Sequence, residues 1–454
     1  MGEMLAVIEP ATEAVLAEIP RAGAAEVDEA VSRARGALPA WRALAPGARA
    51  AVLRSLARLL EDHLEELALI EARNAGKPIG SARGEMGMVV DTIRYYAGAP
   101  ERLLGDTIPV AGGQAFTFRE PLGVVGLIVP WNFPLNIAAW KLGPALAAGN
   151  TVVLKPAELT PLSALRFAEL ALEAGIPEGV VNVVAGPGRT CGQRLVDHPD
   201  VAKIAFTGST EVGRAIAAGA AATIKRVTLE LGGKSANVIF ADADLEAAAA
   251  AAPWAVFDNA GQDCCARSRV LVEESVFDRF TALFEEHVRA IRVGDPLDPA
   301  TEMGPLISAG QREAVASFLE DGDPLVARGS APDGPGFWFA PTIVAPQSRD
   351  ARVMREEVFG PIVAVVPFRD EADAIALAND TIYGLSGSIW TRDGARALRV
   401  ARALETGVLS INSNSSVRVT TPFGGFKQSG YGRELGPHAL DAYTEVKSVY
   451  YATA

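Results

Sequence analysis

Two of the three cysteines in the 454-residue chain stand side by side, in Asn259-Ala260-Gly261-Gln262-Asp263-Cys264-Cys265-Ala266-Arg267-Ser268-Arg269. A thiolate is the strongest nucleophile a side chain offers near neutral pH. The stretch opens on glycine and lies between an Ala-rich helical segment and an apolar strand, where a thiol can be presented. A buried cysteine packing as a small hydrophobe is the plainer reading of the same residues. The histidines are His63, His198, His287 and His438. None is spaced with another His or a Cys as zinc ligands are, so no metal is expected and the group that activates Cys264 is sought elsewhere.

Four further stretches carry side chains suited to work beside a nucleophile. Glu230, in Leu229-Glu230-Leu231-Gly232-Gly233-Lys234, is an acid ending an apolar strand beside two glycines; a carboxyl in such surroundings has a raised pKa and can act as general base. Asn132, in Pro130-Trp131-Asn132-Phe133-Pro134-Leu135, is an amide between two prolines, able to donate to an oxyanion or to serve only as a turn residue. Phe206 to Gly213 place Gly208 and Ser209 between a strand and a helix, where Ser209 caps the helix and its free N–H groups suit a pyrophosphate. The spaced three-glycine dinucleotide fingerprint is missing. Lys155 and Glu158 follow another strand end, either as a surface pair or as contacts to ribose hydroxyls, and Glu158 there would repel a 2′-phosphate and favour NAD over NADP.

The elements that must position these residues read as α/β. Segments 26–38 and 49–75 have the three- and four-residue apolar spacing of amphipathic helices, and Gly76 stops the second. Segments 106–110 and 115–119, joined through Gly112-Gly113, read as a hairpin. From Gly123 onward, the apolar runs 123–129, 151–154, 180–184 and 201–206 are continuous, as in strands buried on both faces of a parallel sheet, with helices at 163–174 and 192–197 between them. A second α/β region starts near Lys234, with strands at 236–240, 268–272, 361–366 and 408–411 and helices at 245–257, 276–291, 309–319 and 394–404. The Pro/Gly-rich stretch 321–341 reads as an exposed connection.

The length calls for two or three domains. A net charge of -13 argues against nucleic acid, which needs a basic surface. Three cysteines make no disulfide framework and point to a reducing compartment. Met1-Gly2-Glu3-Met4 opens no signal peptide, and no run is long and apolar enough to span a bilayer, so the expectation is a cytoplasmic protein with no membrane partner.

Seven motifs occur in order: 130–135, 155–158, 206–213, 229–234, 261–264, 356–361, and 422–425 followed by Ser429-Gly430 and Gly432-Arg433-Glu434. Together they resemble the aldehyde dehydrogenase superfamily, and the resemblance spans nearly the whole chain. It implies that Cys264 is the nucleophile with Cys265 a packing neighbour, that Glu230 is the general base, and that Asn132 and the Cys264 N–H hold the oxyanion. It places Lys155 and Glu158 at the adenosine ribose, Gly208 and Ser209 at the pyrophosphate, and Glu357 and Phe359 near the nicotinamide ribose and ring. Trp131 and Leu231 fall among the remaining cofactor contacts, and Lys141 with Glu434 matches a pair that assists proton exit. The implied fold is a Rossmann-like NAD-binding domain (1–104 and 120–232), an α/β catalytic domain (233–430), and a small β oligomerisation arm (105–119 and 431–454) that bridges a homodimer or homotetramer.

Substrate choice turns on residues that depart from the commoner pattern. Asp263 precedes the nucleophile, where it disfavours the thiolate; it either attracts a cationic substrate such as an ω-aminoaldehyde or pairs with Arg267 or Arg269. Against the cationic reading, Arg418 in the entrance loop Asn414-Ser415-Ser416-Val417-Arg418 could take the carboxylate of a semialdehyde. Phe133 and Trp140 line the tunnel in either case, with Ser415 and Val417 at its mouth. The rival enzyme passes its thioester to CoA, which Glu230 argues against; the rival outside catalysis is a protein that binds NAD without turnover.

Overall fold

The computed structural model describes residues 3–319 and 322–453. Two parallel sheets organise the chain, and the α/β class expected from the sequence is present. In the first sheet, Val124–Ile128, Thr151–Lys155, Val181–Val183, Val201–Thr207 and Arg226–Glu230 run parallel, in the spatial order third, second, first, fourth, fifth. The order reverses between Val124–Ile128 and Val201–Thr207, so the loops that follow them part and leave a crevice at their carboxyl ends. The helix Pro134–Ala147 that leaves the first of these strands is buried along its whole length, and it is apolar except at Asn136 and Lys141.

The second sheet has seven strands in the order Leu325–Arg328, Thr342–Val344, Ile362–Phe368, Arg269–Glu273, Ala236–Ile239, Ser386–Trp390, Val408–Ile411, all parallel except the first. A third sheet pairs Thr444–Ala452 with Gly113–Pro121, and that strand with Thr107–Val110. Its residues Ile108, Val110, Phe118, Val446, Val449, Tyr450 and Tyr451 expose apolar surface.

The C-terminal chain ties the first two sheets together before reaching the third. Gly430–Tyr431 adds an antiparallel strand to Arg226–Glu230. Just ahead of it, Ser429 Oγ donates to Gly232 O at 2.6 Å and accepts from Gly384 N at 2.9 Å.

Several elements differ from the sequence reading. Segment 49–75 is two helices, Pro46–Asp62 and Leu64–Ala75, kinked at His63, where backbone bonds from His63 N to Leu59 O and from Leu67 N to His63 O carry the ladder across. The apolar period continues through the kink, so periodicity alone reads one helix. The helix Ile79–Ala97 escapes the sequence reading because Gly80, Gly84 and Gly87 dilute it, although Ile79, Ala82, Met86, Val89, Val90 and Ile93 form its buried face. Pro253 ends the helix Leu245–Ala251 early and starts a separate 3₁₀ turn. Stretch 321–341 is not a mere exposed connection: it supplies the edge strand Leu325–Arg328 and buries Phe337 and Phe339. Residue 321 itself, like the terminal Met1-Gly2, lies outside the described residues.

Candidate active site

Cys264 lies between the 3₁₀ turn Asp258–Gly261 and the strand Arg269–Glu273. Three successive residues ahead of it are left-handed: Asn259 (φ 50°), Ala260 (φ 56°) and Gly261 (φ 72°). Such backbone costs an L residue roughly 1–2 kcal/mol, so something must hold it. Gln262 does: its Nε2 donates to Asn259 O at 3.0 Å, and its Oε1 accepts from Ile307 N at 2.9 Å. Gln262 O in turn accepts from Asn132 Nδ2 at 2.9 Å, while Asn259 Nδ2 donates to Asn132 O at 2.9 Å. Asn132 is thereby locked, buried, against the loop that carries Cys264, with one of its two N–H groups committed to Gln262 O.

The sulfur itself rests as a thiol. Its hydrogen bond with the Cys265 thiol and its burial, followed by the charges of Cys265 and Asp263, push its pKa well above that of an ordinary cysteine. Ionisation therefore needs a base. Glu230 ends its strand buried, with neither carboxylate oxygen hydrogen-bonded. Burial, reinforced by Glu434, raises its pKa well above the usual carboxylate range. Glu434 is held by the fully buried Lys141, whose Nζ also donates to Thr207 Oγ1 at 2.7 Å.

Two glycines allow these parts to meet. A Cβ on Gly233 would stand 2.2 Å from Cys264 O, and one on Gly232 would stand 2.3 Å from the Glu357 carboxylate. Glu357 Oε1 accepts from Gly233 N at 2.9 Å, and burial lifts its carboxyl to about 7.

Cys264 and Thr207 line two cavities in common. One, of about 340 Å³, has aromatic walls in Phe133, Trp140, Trp254 and Phe423, with Ser415 and Val417 from the entrance loop. Its acids are Glu230, Asp258, Asp263 and Glu434; Arg267 is the one cation among its described lining residues. Lys77, fully buried, sits 4.0 Å from the Phe133 ring centroid and pairs with Glu85, which fixes this wall from behind. The second cavity, of about 270 Å³, occupies the crevice where the strand order reverses. Trp131, Asn132, Gly208, Ser209, Leu231, Glu357 and Phe359 line it, and Trp131 meets Phe359 edge-to-face at 5.2 Å.

The crevice fits a dinucleotide on this chain's own features. Ser209 caps the helix Thr210–Ala221, accepting from Val212 N at 3.4 Å, and that helix end points unpaired N–H groups toward the crevice. Lys155, buried at the end of the neighbouring strand, makes no side-chain hydrogen bond among the described residues. Burial lowers its pKa and Glu158 opposes the shift, so the two sense each other beyond the cavity's edge.

The Aldehyde dehydrogenase family profile matches residues 1–449. The chain belongs to this family. Phenylacetaldehyde dehydrogenase of Pseudomonas fluorescens is 46% identical over 464 residues, covering 99% of this chain and 92% of that protein. Betaine aldehyde dehydrogenase of Bacillus subtilis (strain 168) is 41% identical over 460 residues, covering 99% of this chain and 94% of that protein. The NAD+ complex of an aldehyde dehydrogenase from Bacillus cereus superposes with a TM-score of 0.98 at 43% identity, covering 100% of this chain and 94% of the other. An aromatic and a cationic aldehyde thus appear in the names of family members with similar identities, so the cavity walls must carry the argument about substrate.

Those walls bear on two expectations. Arg418 is absent from the inner cavity; it lies exposed in an outer depression with Met88, Asp91 and Arg94, and its guanidinium donates to Ser415 Oγ and Val417 O. Loop sequence places it near the entrance but not the direction its side chain takes. Asp263 forms no ion pair with Arg267 or Arg269 among the described residues. It accepts from Cys265 N at 2.8 Å, whereas Arg267 donates to Cys265 O and Ser416 Oγ, and Arg269 donates to three backbone carbonyls. The sequence reading missed Thr207, Trp254 and Asp258. For Asp258 a signal existed: an acid closing the apolar run 254–257, six residues ahead of the thiol.

Gly233→Ala tests the close approach. With no room for the methyl, the loop must shift, and a displacement of about 1 Å at a reacting group lowers kcat about 10²-fold. Steady-state NADH kinetics measure this; unchanged kcat would mean the loop yields freely.

Proposed function

We propose that this aldehyde dehydrogenase oxidises an ω-aminoaldehyde to the corresponding ω-amino acid with NAD. The observation that carries the substrate class is the pair of carboxylates, Asp258 and Asp263, on the wall of the cavity that ends at Cys264, with Arg267 engaged elsewhere. The surrounding cavity walls take water from both carboxyls and raise their pKa values, and the charge of Asp263 raises Asp258 further, although Asp258 is an exposed residue and Asp263 a half-buried one. An ammonium entering between them favours the ionised forms and gains charge-assisted hydrogen bonds. Trp140, Trp254 and Phe133 offer ring faces along the same path.

In this reading Cys264 loses its proton to Glu230 and attacks the aldehyde carbon. The alkoxide that forms is held by the uncommitted N–H of Asn132 and the Cys264 backbone N–H. NAD, when bound, supplies the acceptor for the hydride. Once Glu230 has given that proton up to solvent it takes another from water, and the resulting hydroxide cleaves the thioester, releasing the acid and the Cys264 thiolate. Lys141 and Glu434 offer a buried path by which that proton leaves. Ser209 and Gly208 bind the pyrophosphate, Lys155 and Glu158 the adenosine ribose, and Glu357 with Phe359, Trp131 and Leu231 the nicotinamide end.

The division into domains 1–104 with 120–232, 233–430, and the arm 105–119 with 431–454 is part of the same proposal. The exposed apolar residues of the three-stranded sheet support subunit bridging in a homodimer or homotetramer, and three free cysteines accord with a reducing cytoplasm.

The test compares kcat/KM for 4-aminobutanal, succinic semialdehyde and hexanal. The amine is expected to rank first, and Asp258→Asn or Asp263→Asn to lower its value by about 10-fold or more while sparing hexanal. Hexanal ranking first would sink the charge argument, and succinic semialdehyde ranking first would reverse it.

A further inference from the structure

We propose that Asp263, Cys264 and Cys265 form a binding site for one thiophilic divalent metal ion, of the zinc or cadmium class, that closes the nucleophile to aldehyde. One ligand atom from each residue, a carboxylate oxygen and two sulfurs, lies within 4.8 Å of the other two. Ligand atoms around tetrahedral zinc stand roughly 3.5–4 Å apart, so the three need to draw in by only about 1 Å. Both cysteines are free. The carboxylate is already held on their side by its bond from Cys265 N at 2.8 Å.

A fourth position is open to water or to a carboxylate from the cavity. Glu230 lines the same cavity, is nine-tenths or more buried, and has no hydrogen-bond partner for either oxygen. Two thiolates and a carboxylate select soft or borderline ions over magnesium and calcium, which require oxygen shells. The set carries three negative charges when ionised, so the bound divalent ion leaves it a net anion beside Arg267.

The binding step exchanges protons only. The ion forms two metal–sulfur bonds, the two thiol protons leave to solvent, and nothing is oxidised or reduced. Cys264, with its lone pair engaged by the metal, no longer attacks a carbonyl. The protein thereby acquires a reversible off-state governed by free zinc. This inference is independent of which aldehyde is the substrate. Histidine spacing gives no sign of this site, because its ligands are a carboxylate and two thiolates.

The experiment titrates the purified full-length protein with Cd²⁺ under a phosphine reductant, without aldehyde or NAD. It follows the ultraviolet thiolate-to-cadmium charge-transfer band and the protons released. One equivalent is expected to saturate the band and release two protons. Cys265→Ala, which keeps the nucleophile, is expected to lose at least half of the band and to need at least tenfold more metal. Asp263→Asn serves as a second variant, expected to weaken binding while retaining the two-thiolate band. In a parallel assay Zn²⁺ stops NADH formation, and a chelator restores it. A band of full amplitude in Cys265→Ala, or no band in the wild type at several equivalents, overturns the proposal. So does zinc inhibition that Cys265→Ala leaves unchanged, because the ion then sits elsewhere.

Discussion

Cys264→Ala is expected to abolish NADH formation from every aldehyde tested, by on the order of 10⁴-fold or more, the scale seen when a covalent nucleophile is removed. The expectation rests on geometry rather than on residue type: this sulfur alone among the three cysteines lines both the aromatic cavity and the crevice at the strand switch. Stability should change little, since the side chain borders cavity space instead of filling a packed core. NADH absorbance gives the rate, thermal unfolding controls for folding, and quenching of tryptophan fluorescence by NAD controls for the crevice. Residual turnover near wild type would remove Cys264 from the chemistry and leave Cys265 as the group to examine.

The second large effect falls on hydrolysis. Glu230→Gln preserves shape at a site where neither oxygen is hydrogen-bonded, so the fold should tolerate it. Steady-state turnover is expected to drop by about 10²–10⁴-fold, the usual contribution of a positioned base. An acyl adduct on Cys264 should accumulate and be visible by mass spectrometry of protein quenched during turnover. Because burial and Glu434 raise the Glu230 pKa, the wild-type rate should fall on acidification at a higher pH than an ordinary carboxylate would give. As pH drops through that raised value the base is protonated and lost; in Glu230→Gln this limb should be missing. Unchanged turnover with no adduct would pass the role to another group.

The parts of the site that depend on local chain chemistry were legible before the structure. Glu230, Asn132 and Ser209 each follow a buried strand, and strand ends in a doubly wound sheet face the ligand crevice. Cys264 is announced by the glycine and glutamine that build its turn. What stayed hidden depends on tertiary enclosure. Asp258 becomes a wall residue only because Trp254 and the thiol loop curl around one cavity, and no period in the sequence encodes that. Arg418 shows the converse: its loop is where the motif order puts it, but the side chain folds back onto Ser415 and Val417. Ion pairing was a fair expectation for Asp263 beside two arginines, and backbone acceptors outbid it for both. The kinked helix at His63 and the glycine-diluted helix Ile79–Ala97 mark the limits of reading apolar spacing by eye.

The late return of the chain to the first sheet has a consequence for biosynthesis. Gly430–Tyr431 pairs with the strand end at Glu230, a Cβ on Gly424 would stand 2.8 Å from its carboxylate, and Glu434 pairs with the buried Lys141. All three are translated after most strands of both large sheets. A ribosome-bound polypeptide that stops short of residue 424 holds most strands of both large sheets, yet it lacks the residues that enclose Glu230. Enclosure of Glu230 therefore waits on residues 424–434, and a chain cut short of them would leave that carboxyl open to water.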